Sequence, residues 1–329
     1  MTGETRAAGR AGDLVLRPAT FDDAAFAADL YTAVLPDDPQ DPQQTEYWWR
    51  HPHAGRITER FVGTLDGAQV AFAFHRHDDW SRTAERYGTV GGDLLPAHRT
   101  ARHLDALHAA MEERSRAAGA RTFTASVWEH DRLHLEVVTA RGYREKRRER
   151  YWELDLVAER EALARMTAAS RARMREQGID VRTIDRDDDP AKWPKLWRMS
   201  EEAGADVPST VPYVESTLEE FVQGLREPGI REDRIWIARE GDAILGVSIL
   251  SYPPSRGVVQ TDWTGVARAA RGRGVARALK CATVMQAIAL GVDKVRTDND
   301  STNAPILHLN EGMGYRRRPD QIQLVRSGS

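Results

Sequence analysis

Apolar and polar positions along the chain recur in an order that runs twice. Leu14-Val15-Leu16-Arg17-Pro18 opens as a strand, and Phe21, Ala24, Ala25, Ala28 and Tyr31 follow at helical spacing. The stretch Pro36 to Pro42 reads as a loop, and period-two segments predict strands near 61–65, 69–76 and 86–94. A helix over 102–118 stopped by Gly119, a strand over 121–128, a short helix over 130–141 and two strands up to Leu156 complete the series. Residues 157–178, rich in Ala, Arg, Glu and Met and closed by Gly178, predict a connecting helix. The second half opens with a strand over 179–184 and helices over 191–203 and 214–225, parted by the loop Gly204-Ala205-Asp206-Val207-Pro208. Strands over 234–239, 243–252 and 258–266, a helix over 274–290, a strand over 293–298, a helix over 304–311 and a final strand pair to Arg326 follow.

Spacing supports a duplication. Leu94, at the end of the fourth strand of the first series, lies 48 residues before Gly142-Tyr143-Arg144, and Val266 lies 48 residues before Gly314-Tyr315-Arg316. The reading is two domains, 13–156 and 179–329, joined by the 157–178 helix and preceded by a disordered tail over 1–12. A chain of 329 residues is long enough for two cores of ordinary size.

Charge narrows the function. Lys plus Arg (47) nearly balances Asp plus Glu (50), which leaves no global field for a polyanion, so nucleic acid is not the expected partner. No apolar run reaches the length that spans a bilayer, and the polar opening lacks the apolar core of a signal peptide, so the expected setting is cytoplasmic and not at a membrane. One cysteine, Cys281, leaves no internal disulfide and no Cys-based metal site. His51/His53 and His75/His77 have the i, i+2 spacing of two imidazoles on one strand side, but no third ligand stands near them and no metal is assigned. Glu46-Tyr47-Trp48-Trp49-Arg50 reads as a half-buried packing segment or the wall of an aromatic pocket.

Chemistry concentrates between the strand ending at Val266 and the helix from Gly274. Glycines in Arg271-Gly272-Arg273-Gly274-Val275-Ala276-Arg277 allow a tight turn whose N–H groups point into one concavity at the positive end of a helix, where a pyrophosphate fits. The dinucleotide fingerprint needs a further glycine where Arg277 stands, and the Gly-Lys-Ser/Thr of a P-loop is missing. Arg271 to Ala276 resembles the Arg/Gln-x-x-Gly-x-Gly/Ala motif of the GNAT superfamily of acyltransferases. The order from Ile179 to Arg326 resembles the same superfamily, and Asn303 to Tyr315 is similar to its tandem members related to mycothiol synthase.

That resemblance implies an α/β (α+β) fold of two tandem GNAT domains. Each would have a mixed, mostly antiparallel sheet flanked by helices, with the fourth and fifth strands splayed at an acyl-CoA site. It implies an acetyl-CoA-dependent N-acetyltransferase acting on a small-molecule amine, as a monomer or homodimer; the alternative is a non-catalytic acyl-CoA-binding or regulatory module. The cofactor residues carried over are Val266, Arg271, Gly272, Arg273, Gly274, Val275, Ala276, Arg277 and Asn303. Val266 would offer main-chain groups to the pantetheine arm and the acyl carbonyl; Asn303 would reach the pantetheine, cap the last helix, or both.

Asp262, four residues before Val266, is placed on the same strand side by the two-residue period and is assigned as general base, with an exposed surface carboxylate as the other reading. Glu201, Glu202 and Asp206 are alternatives for the base or for binding a cationic acceptor. Asn310 stands where the family often has a tyrosine acid; it can orient a thiolate or cap the helix end but cannot protonate a leaving group. In the first half Thr100 and Arg102 replace Gly272 and Gly274, Val90 replaces Asp262 and Asp131 replaces Asn303, while Arg99 keeps the place of Arg271, so that half is read as a degenerate copy.

Overall fold

The computed structural model describes residues 13–53 and 55–328. The predicted tail over 1–12 lies outside the described residues. The described residues divide into two compact units, one from 13 to 145 with 324–328 and the other of 146–323.

The first unit runs β1 (Val15–Pro18), α1 (Ala24–Val34), α2 (Pro42–Arg50), β2 (Arg56–Leu65), β3 (Ala68–Asp78), β4 (Tyr87–Leu94), α3 (Ala101–Ala117), β5 (Thr122–Trp128) and α4 (Arg132–Ala140). Strands β1 to β4 pair antiparallel in sequence order, and β5 lies parallel to β4. The long β2–β3 hairpin turns at Asp66-Gly67, both in the left-handed region. Helix α2 is the element that the loop reading overlooks. Its signal is Asp41-Pro42: the Asp41 carboxylate accepts from the N–H groups of Gln43 (2.8 Å) and Gln44 (3.1 Å), and proline occupies the first turn, where no donor is needed.

The second unit runs β6 (Arg144–Asp155, from Lys146 on), α5 (Arg160–Glu176), β7 (Asp180–Thr183), α6 (Lys192–Gly204), α7 (Leu218–Gly224), β8 (Ile235–Glu240), β9 (Ala243–Ser251), β10 (Gln260–Val266), α8 (Val275–Ala289), β11 (Lys294–Asp300), α9 (Ala304–Gly312), β12 (Arg316–Arg317) and β13 (Gln321–Ser327, up to Gln323). Strands β7 to β10 are antiparallel neighbours, β11 lies parallel to β10, and β6 pairs antiparallel with β11. Sequence order gives β6 to the first domain, but its residues from Lys146 count with the second unit because seven of them, Glu149 to Asp155, register with β11. One face of the sheet is covered by α6, with Leu196 and Met199 against Ile235, Ile237, Val247 and Ile249. The other carries α8, whose Val275, Ala278 and Leu279 pack on Ala238 and Leu245, and α5, whose Leu163 joins Cys281 and Val284. Clusters of this kind supply most of the drive to fold.

A shift of 172 residues carries β5 onto β11 and α4 onto α9 at both ends. The same shift carries the single 3-10 turn after β4 (Pro96–His98) onto the one after β10 (Arg268–Ala270), and Gly142 (φ 93°) onto Gly314 (φ 92°). The duplication is therefore one of geometry as well as of spacing. Asp41→Ala should lower unfolding stability by about 1 kcal/mol in a urea titration, because two helix N–H groups lose their acceptor.

Candidate functional site

The two parallel pairs begin together and then part. In the second unit Gln260 and Arg296 are the registered partners of β10 and β11, and β10 runs on to Val266 beside a gap. Val266 pairs on its other edge with Gly246, and its carbonyl accepts from Arg271 Nε at 3.3 Å. The strand end therefore keeps main-chain groups facing the gap, fixed in direction by the sheet.

After Val266 the chain makes a 3-10 turn and enters the glycine segment. Gly272 (φ 76°) and Gly274 (φ 93°) both lie in the left-handed region, and a Cβ at Gly272 would project into open space. Gly274 is the N-cap of α8 and has no side chain to satisfy the first-turn donors of Val275, Ala276 and Arg277, which stay available to an anion. Val275 is buried against the sheet, whereas Arg277 is exposed. Arg271 is held by Asp206 (2.8 Å), and Arg273 by Glu240 (2.7 Å) and the side chain of Gln177 (3.0 Å). Arg173 donates to the Gly272 carbonyl at 3.4 Å, and its guanidinium lies where a Gly274 Cβ would meet it at 3.3 Å. Sequence reasoning treats α5 only as a connector; its last-turn Arg173 and the following Gln177 brace the loop. The visible signal is the Arg-rich end of that helix, Arg171, Arg173 and Arg175. These residues place main-chain N–H groups at a helix N-terminus, an arrangement that could hold an anion such as a pyrophosphate.

Asn303, the N-cap of α9, is half-buried, and its side chain does not cap the helix. Asn310 is fully buried; it donates from Nδ2 to Asn299 Oδ1 on β11 at 2.6 Å, while its own Oδ1 has no partner among the described residues. It lies in the packing between α9 and β11.

Asp262 occupies a special place. The β9–β10 register passes from Thr261–Leu250 to Trp263–Ile249, which leaves Asp262 as the extra residue of a β-bulge. The two-residue alternation used to align it with Val266 is thus interrupted at Asp262 itself. Its side chain is exposed to solvent, yet the surrounding protein strips enough water from the carboxylate to push its pKa up to about 7, and the charge of Glu227 adds to the rise. Glu227, a buried residue absent from the sequence reading, accepts from Ser251 Oγ at 2.6 Å.

The other acidic candidates are committed elsewhere. Glu201 accepts from Tyr213 Oη (2.6 Å), Ser216 Oγ (2.5 Å) and Ser216 N (3.1 Å), so it fastens the loop after α6. Glu202 accepts from the Arg268 N–H at 2.5 Å. Asp206 is held down at about 2 by its hydrogen bonds from Arg268 and Arg271. A carboxylate near 7 can exchange a proton at neutral pH; one near 2 cannot.

The first unit fills the equivalent place differently. Strands β4 and β5 register at Tyr87–Thr122, Gly88–Phe123 and Thr89–Thr124 and then separate. Across that separation Arg99 donates to Asp93 on β4 (2.6 and 3.1 Å) and to Asp131, the N-cap of α4 (3.1 Å for one of two bonds). His134 stands beside them with its Nε2 at 2.7 Å from His108 Nε2. Asp93, Asp131 and His134 converge closely enough to hold a metal ion, and the Arg99 guanidinium supplies the cation between the two carboxylates. The other histidine candidates are engaged as well: His75 Nε2 meets Glu59 at 3.1 Å, and His77 stacks on Trp80. Arg99→Ala should cost about 3 kcal/mol in urea unfolding, since it leaves the buried Asp93 and the half-buried Asp131 carboxylates facing one another.

Residues 196–315 match the model of the acetyltransferase (GNAT) family. Among solved structures, the chain resembles a tandem GNAT protein from the clavulanic acid biosynthesis pathway, with TM-score 0.73 and 16% identity over 96% of this chain and 99% of that one. It also resembles a GCN5-related N-acetyltransferase from Sphaerobacter thermophilus, with TM-score 0.64 and 19% identity over 95% of each chain. A glucosamine N-acetyltransferase region of a fungal multi-domain β-N-acetylglucosaminidase matches with TM-score 0.69 and 16% identity over 95% of this chain and 38% of that one. No curated protein sequence matches. At these identities the structural likenesses speak for the fold, and no helix of the described residues is long and apolar enough to cross a membrane. Cradle, parted strands and family match agree that residues 196–315 are a GNAT acetyltransferase domain, and the chain as a whole has a fold like that of the tandem GNAT structure.

Proposed function

We propose that this acyltransferase-family chain moves an acetyl group from acetyl-CoA to a small-molecule primary amine, with the chemistry in the second unit. The observation that carries the reading is the open glycine cradle at the N-terminus of α8, entered from the strand that holds Val266 and, on its bulge, Asp262. Bound acetyl-CoA supplies an acyl group activated as a thioester. The N–H groups of Gly272 to Arg277 would hold its pyrophosphate, with Arg173 adding charge beside them. Val266 would direct main-chain groups to the pantetheine arm and acyl carbonyl, where a fixed donor favours the oxyanion that forms when an amine attacks. Asn303 has an uncommitted side chain for the pantetheine amides.

Asp262 would take a proton from the acceptor's ammonium, directly or through water, and so free the lone pair that attacks the thioester carbonyl. Glu227 does two things for it: its charge adds to the rise in the Asp262 pKa that desolvation produces, and it adds to a negative potential that draws a cationic acceptor. A base near 7 matches the task, because it is substantially ionised at neutral pH while remaining basic enough to accept. With Asn310 bound to Asn299, no side chain is assigned as acid; a thiol with a pKa near 8.5 leaves without full protonation.

Two measurements test this. Calorimetric titration with acetyl-CoA should give binding that Gly274→Glu abolishes, since that variant puts bulk and negative charge in the cradle; no binding by the native chain overturns the reading. With an accepted amine, kcat/KM should rise about tenfold per pH unit below pH 7 and level off above it. Asp262→Asn should remove that limb while keeping acetyl-CoA affinity. The sign for stability is opposite. A carboxyl raised to about 7 contributes stability while protonated and loses it as pH climbs from its unfolded value near 4 through 7, so the Asn variant should gain on the native chain in melting temperature between pH 5 and pH 8.

A further inference from the structure

The first unit contains a cavity that its acyl-CoA-like framework does not explain. It lies between the β2–β3 hairpin and the helices α1 and α2, in two adjoining lobes of about 730 and 320 Å³ that share Trp49, Arg56, Thr58 and Arg60. Their volumes span the range usual for small-molecule sites.

Register explains the lining. Arg56, Thr58 and Arg60 alternate onto one face of β2, and they pair with Asp78, Arg76 and Phe74 of β3. Three arginines thus meet on one sheet face beneath aromatic side chains from α1 and α2. Trp49 stacks on Phe72 (ring centroids 5.4 Å, 18° between planes), Tyr31 meets Phe72 edge-on at 5.9 Å, and Trp48 stacks on His53 at 4.8 Å.

The charges are poorly balanced. Arg56 lies 3.6 Å from Asp78, a long contact. Glu59 borders the larger lobe, but its carboxylate is engaged with His75 Nε2 at 3.1 Å rather than with an arginine. Arg60 and Arg76 have no ion pair among the described residues: Arg60 rests over the Trp49 ring at 5.0 Å and Arg76 over Phe74 at 5.5 Å. Arg76 opens to solvent through the cavity, but the protein around it removes enough water, with the charge of Arg56 adding, to lower its pKa to about 10. Like charges crowded into a partly dried cavity raise the energy of the empty site and are relieved by an anion.

We propose that this cavity is a binding site for a small organic anion with a flat aromatic body, whose carboxylate or phosphate is received by Arg56, Arg60 and Arg76 and whose ring lies against Trp48 and Trp49. Arginine suits both halves of such a ligand, since its planar fork bonds two oxygens of a carboxylate or phosphate and its face stacks on aromatic rings. The site is independent of the acetyl-transfer reading and draws on none of its residues.

Calorimetric titration of the full chain with phenyl phosphate and benzoate tests the proposal and tells phosphate from carboxylate. Inorganic phosphate and benzylamine, each carrying half of the chemistry or the wrong charge, serve as comparisons. At least one aromatic anion should bind more tightly than either comparison. Arg60→Gln and Arg76→Gln should each weaken that binding about tenfold, the scale of one charge-assisted hydrogen bond, with the far-ultraviolet circular dichroism unchanged. Arg76→Lys, which keeps the charge but loses the fork, should fall between native and Gln. Absence of binding by both aromatic anions, equal binding of inorganic phosphate or benzylamine, or equal affinities in native and Gln variants would each overturn it.

Discussion

Parallel strands that start paired and then part leave main-chain N–H and C=O groups facing a gap, and a gap in the middle of a sheet must be filled by something polar. Both units of this chain are built around that requirement. In the second, β10 continues six residues beyond its registered contact with β11, and the glycine cradle opens from its end. In the first, β4 and β5 part after three registered pairs, and the Arg99 guanidinium joins Asp93 to Asp131 across the separation. One framework thus has two outcomes, an open glycine turn at a helix N-terminus and an internal ion pair.

Single substitutions account for the divergence. An aspartate at 131 supplies an anion for Arg99 and caps α4 through the His134 N–H, whereas the side chain of Asn303 at the matching position makes no cap hydrogen bond. Arg271, the counterpart of Arg99, turns instead to Asp206 on the exposed side of the loop. Thr100 and Arg102 stand where the second unit has its two left-handed glycines, and the Arg99 charge is spent inside the protein on Asp93 and Asp131.

Much of this was legible in the sequence because it is local or periodic. Strand and helix order, the glycine turn, the departure of Thr100 and Arg102 from it, and the 48-residue spacing all follow from patterns a few residues wide. What stayed hidden depends on register and on distant partners. Asp206 and Glu201 look as available as Asp262 until the structure shows arginines on one and a tyrosine and serine on the other. The bulge at Asp262 needs the pairing with β9 to be seen, and Glu227 approaches from a different element. Arg56 and Arg60 stand at a strand-like spacing in the sequence, but only the hairpin register brings Arg76 beside them. The short helix α2 was missed although its Asp-Pro start is a helix signal, because the proline-rich stretch before it reads as loop throughout.

The bulge has an evolutionary side. The corresponding pair in the first unit, β3 with β4, keeps an unbroken register from Ala71–Leu94 to His77–Gly88. A bulge residue is the one position in a strand that can be gained or lost without moving its neighbours to the other face. The position that holds Asp262 can therefore differ in character from its counterpart Val90 while the sheet on either side keeps its faces in place.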